Sequence, residues 1–385
     1  RPFPAGAAFA VYEGETLLCA SGADTLARRN TRYAAEGVEK ITGQLSYSFR
    51  YDATAELPEA KPARVLDYSW PLHARPIKKL AIDAPETVTA LRDADGIEYP
   101  VQFVEGKACA FVMDMPSMGA KNFWFVEGEK SDFTLRVDEK SFDTPFFQGT
   151  FDESMRITSM IDKRCNRQLC KDGKALNSIV CYENRPHNYD AWDINIYYDQ
   201  RSWDVTDVKS VEIVSAGPVM TKLRVKYAFN NSTIDQDIIF YTAIDRVDFD
   251  TTVDWKEQHY MLKAHFPVDI FYNKGTFDIQ YGTIRRSTTV NTSWDMAKFE
   301  VCGIKFADLS DREHGFAILT DSKYGYKAKE NFLSLNLLRA PTYPGKHADI
   351  GHHTFTYSLY PHAGDVIEGK VMQEAYDLNI PMQTV

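Results

Sequence analysis

The sequence predicts a mainly β protein: a small β-sandwich, then a large antiparallel β-sandwich, with a short helical segment near the N-terminus. Three observations predict it. Apolar and polar residues alternate with period two through most of the chain, as half-buried strands require. Turn formers such as Ala216-Gly217-Pro218 and Asn230-Asn231-Ser232 break these runs at regular spacing. No helical pattern intervenes between the strands, which argues against a parallel α/β sheet.

In chain order, residues 24–45 carry Ala34, Val38, Ile41 and Leu45 on one helical face, spaced four, three and four apart. Residues 53–62, rich in Ala, Glu and Pro, read as a linker. The first segment is therefore 1–62, helix and linker. Short apolar runs at 63–66, 77–82, 101–104 and 110–113, with Asp93-Ala94-Asp95-Gly96 as a turn, make 63–130 the small sandwich. Its polar residues read as solvent-facing. From Phe146 the strands lengthen: 155–161 leads into a turn at 162–166, and 211–215, 220–229, 234–241 and 247–255 follow closely. Such spacing indicates large sheets packed face to face, so 131–385 is the third segment.

Composition narrows the function. The 385 residues include 54 Asp and Glu against 44 Lys and Arg, without basic runs, which argues against nucleic acid or an anionic membrane as partner. No apolar stretch reaches the length of a membrane span, and Arg1-Pro2-Phe3-Pro4 does not begin a secretory signal, so a cytoplasmic protein is expected. Cys19, Cys109, Cys165, Cys170, Cys181 and Cys302 form no CxxC pair and read as free thiols.

The most informative stretch runs from Glu183 to Tyr198. After turn formers, Ile194 and Ile196 alternate with Asp193, Asn195 and Tyr197, which predicts a strand with one polar face. A carboxylate, an amide and a phenol beside the rings of Tyr189 and Trp192 suit a polyhydroxylated ligand; the plain alternative is the wet face of a strand. The wording Arg185-Pro186, then Asn188-Tyr189-Asp190-Ala191-Trp192-Asp193-Ile194, resembles the C-terminal β-rich half of family 38 glycoside hydrolases, the zinc-dependent α-mannosidases. Further matches are Asp254-Trp255-Lys256-Glu257, Leu262-Lys263-Ala264-His265-Phe266-Pro267, Gln280-Tyr281-Gly282-Thr283-Ile284-Arg285-Arg286 and Leu337-Leu338-Arg339-Ala340-Pro341-Thr342. The resemblance is dense over about 145–378 and implies a galactose-mutarotase-like supersandwich. It also implies that both ends are cut from a longer enzyme, whose N-terminal barrel carries the nucleophile and zinc or another divalent metal.

A retaining glycosidase needs two carboxyl groups about 5 Å apart. Asp190 and Asp193, three apart on an expected strand, face opposite ways and make a poor pair, and because the resemblance implies that nucleophile and zinc ligands lie in the barrel, no catalytic residue and no cofactor is assigned to this chain. The expected substrate-binding residues are Asp190, Trp192, Asp193, Tyr324, Tyr326 and Arg339, with Gly325 turning both phenols of Lys323-Tyr324-Gly325-Tyr326 outward. His347, Asp349, His352 and His353 are the remaining metal-ligand candidates, although no general base accompanies them. The expected function is the scaffold and substrate rim of a retaining, metal-dependent α-mannosidase. Its partners would be an α-mannoside or oligosaccharide, the enzyme's own barrel and a second copy. The alternatives are a freestanding carbohydrate-binding module and an epimerase-like sugar enzyme using a His and a carboxylate.

Overall fold

The computed structural model describes residues 8–13, 16–22, 48–51, 63–67 and 77–384, the first three segments as backbone strands. The helix expected at 24–45 and the linker at 53–62 lie outside the described residues. Two compact units divide the chain: residues 1–65 with 122–124 and 384–385, and residues 66–121 with 125–383. In the first, Ala8–Glu13 pairs antiparallel with both Thr16–Gly22 and Ser48–Tyr51. In the second, most of the residues expected as a small sandwich group with the large one.

Strands dominate the second unit, as alternation predicts. Lys107–Met113 pairs with Ile77–Ile82 and Gln102–Val104, and Asp93 turns the chain by accepting the Asp95 and Ile97 N–H groups at 3.1 and 2.9 Å. Downstream, a nine-stranded antiparallel sheet runs in the order Asp207–Ala216, Met220–Phe229, Ser232–Tyr241, Val247–Trp255, Gly351–Ala363, His314–Thr320, Phe306–Ser310, Lys274–Ile279, Gly282–Ser287. A six-stranded sheet runs in the order Ser202–Asp204, Ser178–Glu183, Tyr260–Pro267, Phe332–Leu338, Gly325–Lys329, Val301–Cys302. A five-stranded sheet, 136–168, completes the group.

The core lies where the two large sheets face each other. Phe249 and Tyr357 of the nine-stranded sheet stack at 5.1 Å, and Phe266 of the six-stranded sheet meets Phe249 at 6.2 Å. Three polar side chains inside satisfy one another. Asn177 donates to Gln236 at 2.7 Å, Gln236 to the Tyr357 hydroxyl at 2.9 Å, and that hydroxyl back to Asn177 at 2.7 Å. The ring closes on itself, as burial demands. On the six-stranded sheet Ala264, Phe266, Leu333 and Leu335 join this core. The alternate residues Lys263, His265, Ser334 and Asn336, paired across the sheet as Lys263↔Asn336 and His265↔Ser334, form the outer face.

Candidate functional site

Local hydrogen bonding overrides the strand expected at 193–197. The Asn195 side chain accepts the Tyr197 N–H at 2.9 Å and caps a 3₁₀ turn, Ile196–Gln200, that buries Tyr198. Upstream, the Trp192 and Asp193 N–H groups both donate to the Tyr189 carbonyl, at 2.8 and 2.9 Å, in a tight loop. Asp190 is buried at its centre. Its carboxylate accepts the Thr342 N–H at 2.6 Å, the Thr342 hydroxyl at 3.0 Å and the Tyr343 N–H at 2.7 Å, with His259 Nδ1 at 3.7 Å. Burial acts against ionisation, but these donors outweigh it and hold the carboxyl below its usual range. Asp190 thus clamps loop 184–193 to loop 339–349, and its oxygens are taken. This corrects the expectation that it binds substrate.

The clamp gathers rings on the surface. Tyr189, Trp192 and Tyr343 are 59%, 67% and 54% exposed, yet their centroids lie within 5.6 to 6.2 Å of one another. Behind them Arg339 Nη1 donates to the Ala191 carbonyl at 3.4 Å, while Nε and Nη2 are buried with no hydrogen-bond partner. Burial pushes the Arg339 pKa down, against the opposing pull of Asp190, Asp193, Glu300 and Asp349. Asp193 is exposed beside this group. Sequence reading missed Tyr343, whose place depends on Asp190, 153 residues away.

Tyr324 and Tyr326 part company. Tyr324 is exposed, whereas Tyr326, in the strand Gly325–Lys329, lies opposite Leu335, is fully buried, and donates to the Ile304 carbonyl at 3.2 Å. The expectation that both phenols face outward is therefore corrected: Tyr326 is core. The histidine cluster does not converge either. Asp349 spends its carboxylate on the Arg339 and Ala340 N–H groups, His353 Nε2 contacts the Asp349 carbonyl at 2.9 Å, and His352, adjacent on a strand, turns toward Asp254 at 3.7 Å. Among the described residues no group of three or more His, Cys, Asp and Glu side chains is arranged to hold a metal ion, and no helix is long and apolar enough to cross a membrane.

The geometry defines an antiparallel β-sandwich protein with an aromatic surface backed by a partly unspent guanidinium. Residues 142–347 match the family profile described as "Glycosyl hydrolases family 38 C-terminal domain", so the chain belongs to glycosyl hydrolase family 38. Alpha-mannosidase G of Dictyostelium discoideum is 37% identical over 243 residues, covering 62% of this chain and 22% of that protein. Alpha-mannosidase 2C1 of Homo sapiens is 34% identical over 244 residues, covering 63% of this chain and 24% of that protein. The chain thus matches less than a quarter of the length of these curated relatives. A crystal structure of an alpha-mannosidase from Enterococcus faecalis V583 shares the fold, with a TM-score of 0.66 at 13% identity over 86% of this chain and 46% of that one.

Proposed function

We propose that this chain is the β-rich half of a cytoplasmic α-mannosidase and gives it scaffold and substrate-rim contacts. The observation that carries the reading is the clamped surface of Tyr189, Trp192 and Tyr343 above Arg339. Aromatic planes take the C–H faces of a pyranose, while Arg339, its Nε and Nη2 buried, braces the loop through the Ala191 carbonyl. Trp192, Asp193, Tyr324 and Arg339 are the rim residues, and Asp190 is their positioning residue.

In this reading a catalytic barrel outside the chain supplies the nucleophile and acid for hydrolysis of α-mannosides with retention. In the same reading zinc or another divalent metal is held by the barrel. The barrel, an α-mannoside or oligosaccharide, and a second copy of the enzyme are the proposed partners. Substituting Trp192→Ala in the enzyme that unites barrel and β half tests the rim. KM for an oligomannoside is expected to rise about tenfold, the loss of one stacking contact, with kcat less affected. Unchanged KM and kcat would remove Trp192 from the rim.

A further inference from the structure

The outer face of the six-stranded sheet carries two cavities, of about 670 and 340 Å³, which share the lining residues Lys171, His265, Asn331 and Phe332. Neither is lined by Tyr189, Trp192, Tyr343 or Arg339. Both volumes fall in the roughly 300–1,000 Å³ range of small-molecule sites. The smaller one has Ser334 in its lining, fully buried with its hydroxyl unpartnered, in cross-strand register with His265 on one side and Lys327 on the other. Orphaned hydroxyls in so buried a place are rare, and a ligand is one way to satisfy them.

The walls are rings. Tyr182 and Tyr198 meet edge-on at 5.2 Å, and His265 meets Phe332 edge-on at 4.9 Å. Burial, aided by Lys263 and Lys327, holds the His265 imidazole down to about 3, so the ring is neutral near pH 7. Charges of both signs line the cavities: Arg156, Lys171, Lys174, Lys327 and Lys329 beside Asp152, Asp204, Asp199 and Glu330. Arg156 is paired by Asp152 at 2.7 Å and Asp204 at 3.3 Å. By contrast, Lys171 donates to the Asn331 side-chain oxygen at 2.8 Å, and among the described residues no carboxylate pairs with it or with Lys174. Lys327 donates to the Tyr198 hydroxyl at 3.2 Å and pairs with Asp199 at 3.5 Å.

We propose that this groove binds a saccharide bearing an anionic group, its ring against Tyr182 and Phe332 and its charge toward Lys171. Stacking surfaces supply the sugar preference, and the Lys171 ammonium, without a carboxylate partner, supplies the preference for an anion. The proposal stands apart from the α-mannosidase reading, because it concerns binding by the 385-residue chain without turnover.

Calorimetric titration of the 385-residue chain with mannose 6-phosphate, mannose and inorganic phosphate tests it. Mannose 6-phosphate is expected to bind at least about tenfold more tightly than either of the others, the worth of one charge-assisted hydrogen bond. Lys171→Met and Ser334→Ala are each expected to weaken that binding, by about tenfold for the lysine, with far-UV circular dichroism unchanged. Equal affinity for mannose, equal affinity for phosphate, no binding of mannose 6-phosphate, or wild-type affinity in both folded variants would each overturn the proposal.

Discussion

Arg246 and Lys263 are both cations buried in the large sandwich, and their surroundings differ. Arg246 donates to Asp248 at 2.9 Å and to Glu374 at 3.1 Å, with Asp377 at 3.5 Å. Asp248 in turn accepts the Tyr241 and Ser358 hydroxyls, both at 2.6 Å. Burial alone would lower the Arg246 pKa, but these carboxylates raise it well above the ordinary value. Lys263 has one close carboxylate, Glu300, and the Tyr198 hydroxyl at 3.5 Å. Burial pushes its pKa down despite Glu300. Glu300 Oε2, Asn336 Oδ1 and Ser334 Oγ are all buried and without a hydrogen-bond partner. The first cluster matches its cation with three carboxylates and ties the strands Ser232–Tyr241, Val247–Trp255 and Gly351–Ala363 to the helix Val371–Asn379. The second is left open, beside a cavity, on a face that alternation had already made polar.

The comparison is sharpest where it predicts opposite signs. Arg246→Met leaves several carboxylates buried without their cation and is expected to cost about 3–5 kcal/mol, read from the denaturation midpoint at constant m-value. A loss under 1 kcal/mol would mean the carboxylates do not depend on that cation. Gly315→Ala probes a second buried group, the His362–Asp308 pair at 2.8 Å, because a methyl there would meet the His362 ring at 2.0 Å. The expected cost is about 1–3 kcal/mol from overpacking, measured by thermal unfolding. Ser334→Ala, on the open face, removes an orphaned hydroxyl and is expected to be neutral or stabilising by up to about 1 kcal/mol. A clear destabilisation would place that hydroxyl in a closed network instead.

Asp190 supplies a pH-dependent test. Its folded pKa is depressed, so its contribution is present above the unfolded value of about 3.9 and is lost as pH falls below it. The stability gap between the wild type and Asp190→Asn is expected to be widest near neutral pH and to shrink on acidification below about pH 4, followed by urea denaturation. A constant gap would remove the carboxylate from the clamp. Smallest of all, Trp192→Ala is expected to change stability by less than about 0.5 kcal/mol, because its ring is mostly solvated.

The sheets were legible in sequence because period two and turn residues act locally: the expected strands at 220–229 and 247–255 coincide with Met220–Phe229 and Val247–Trp255. The sites were not. Over 193–197 a single side chain, Asn195, turned an alternating run into a 3₁₀ turn, a choice that period counting cannot see. Tyr326 and Tyr324 read alike until the pairing with Leu335 assigned one to the core. Lys263, Glu300 and Tyr198 come from a strand, a loop and a 3₁₀ turn far apart in the chain, so no spacing announces their meeting. Trp192 and Arg339 were visible as residue types, whereas the clamp that sets them side by side was not.

The most direct test is hydrolysis of a chromogenic α-mannoside by the 385-residue chain, with added zinc and again with a chelator, beside the same chain joined to a family 38 catalytic barrel. The account predicts no turnover by the chain alone under either condition and turnover once the barrel is joined. Metal-dependent turnover by the chain alone would contradict it and would return His347, Asp349, His352 and His353 to consideration as ligands.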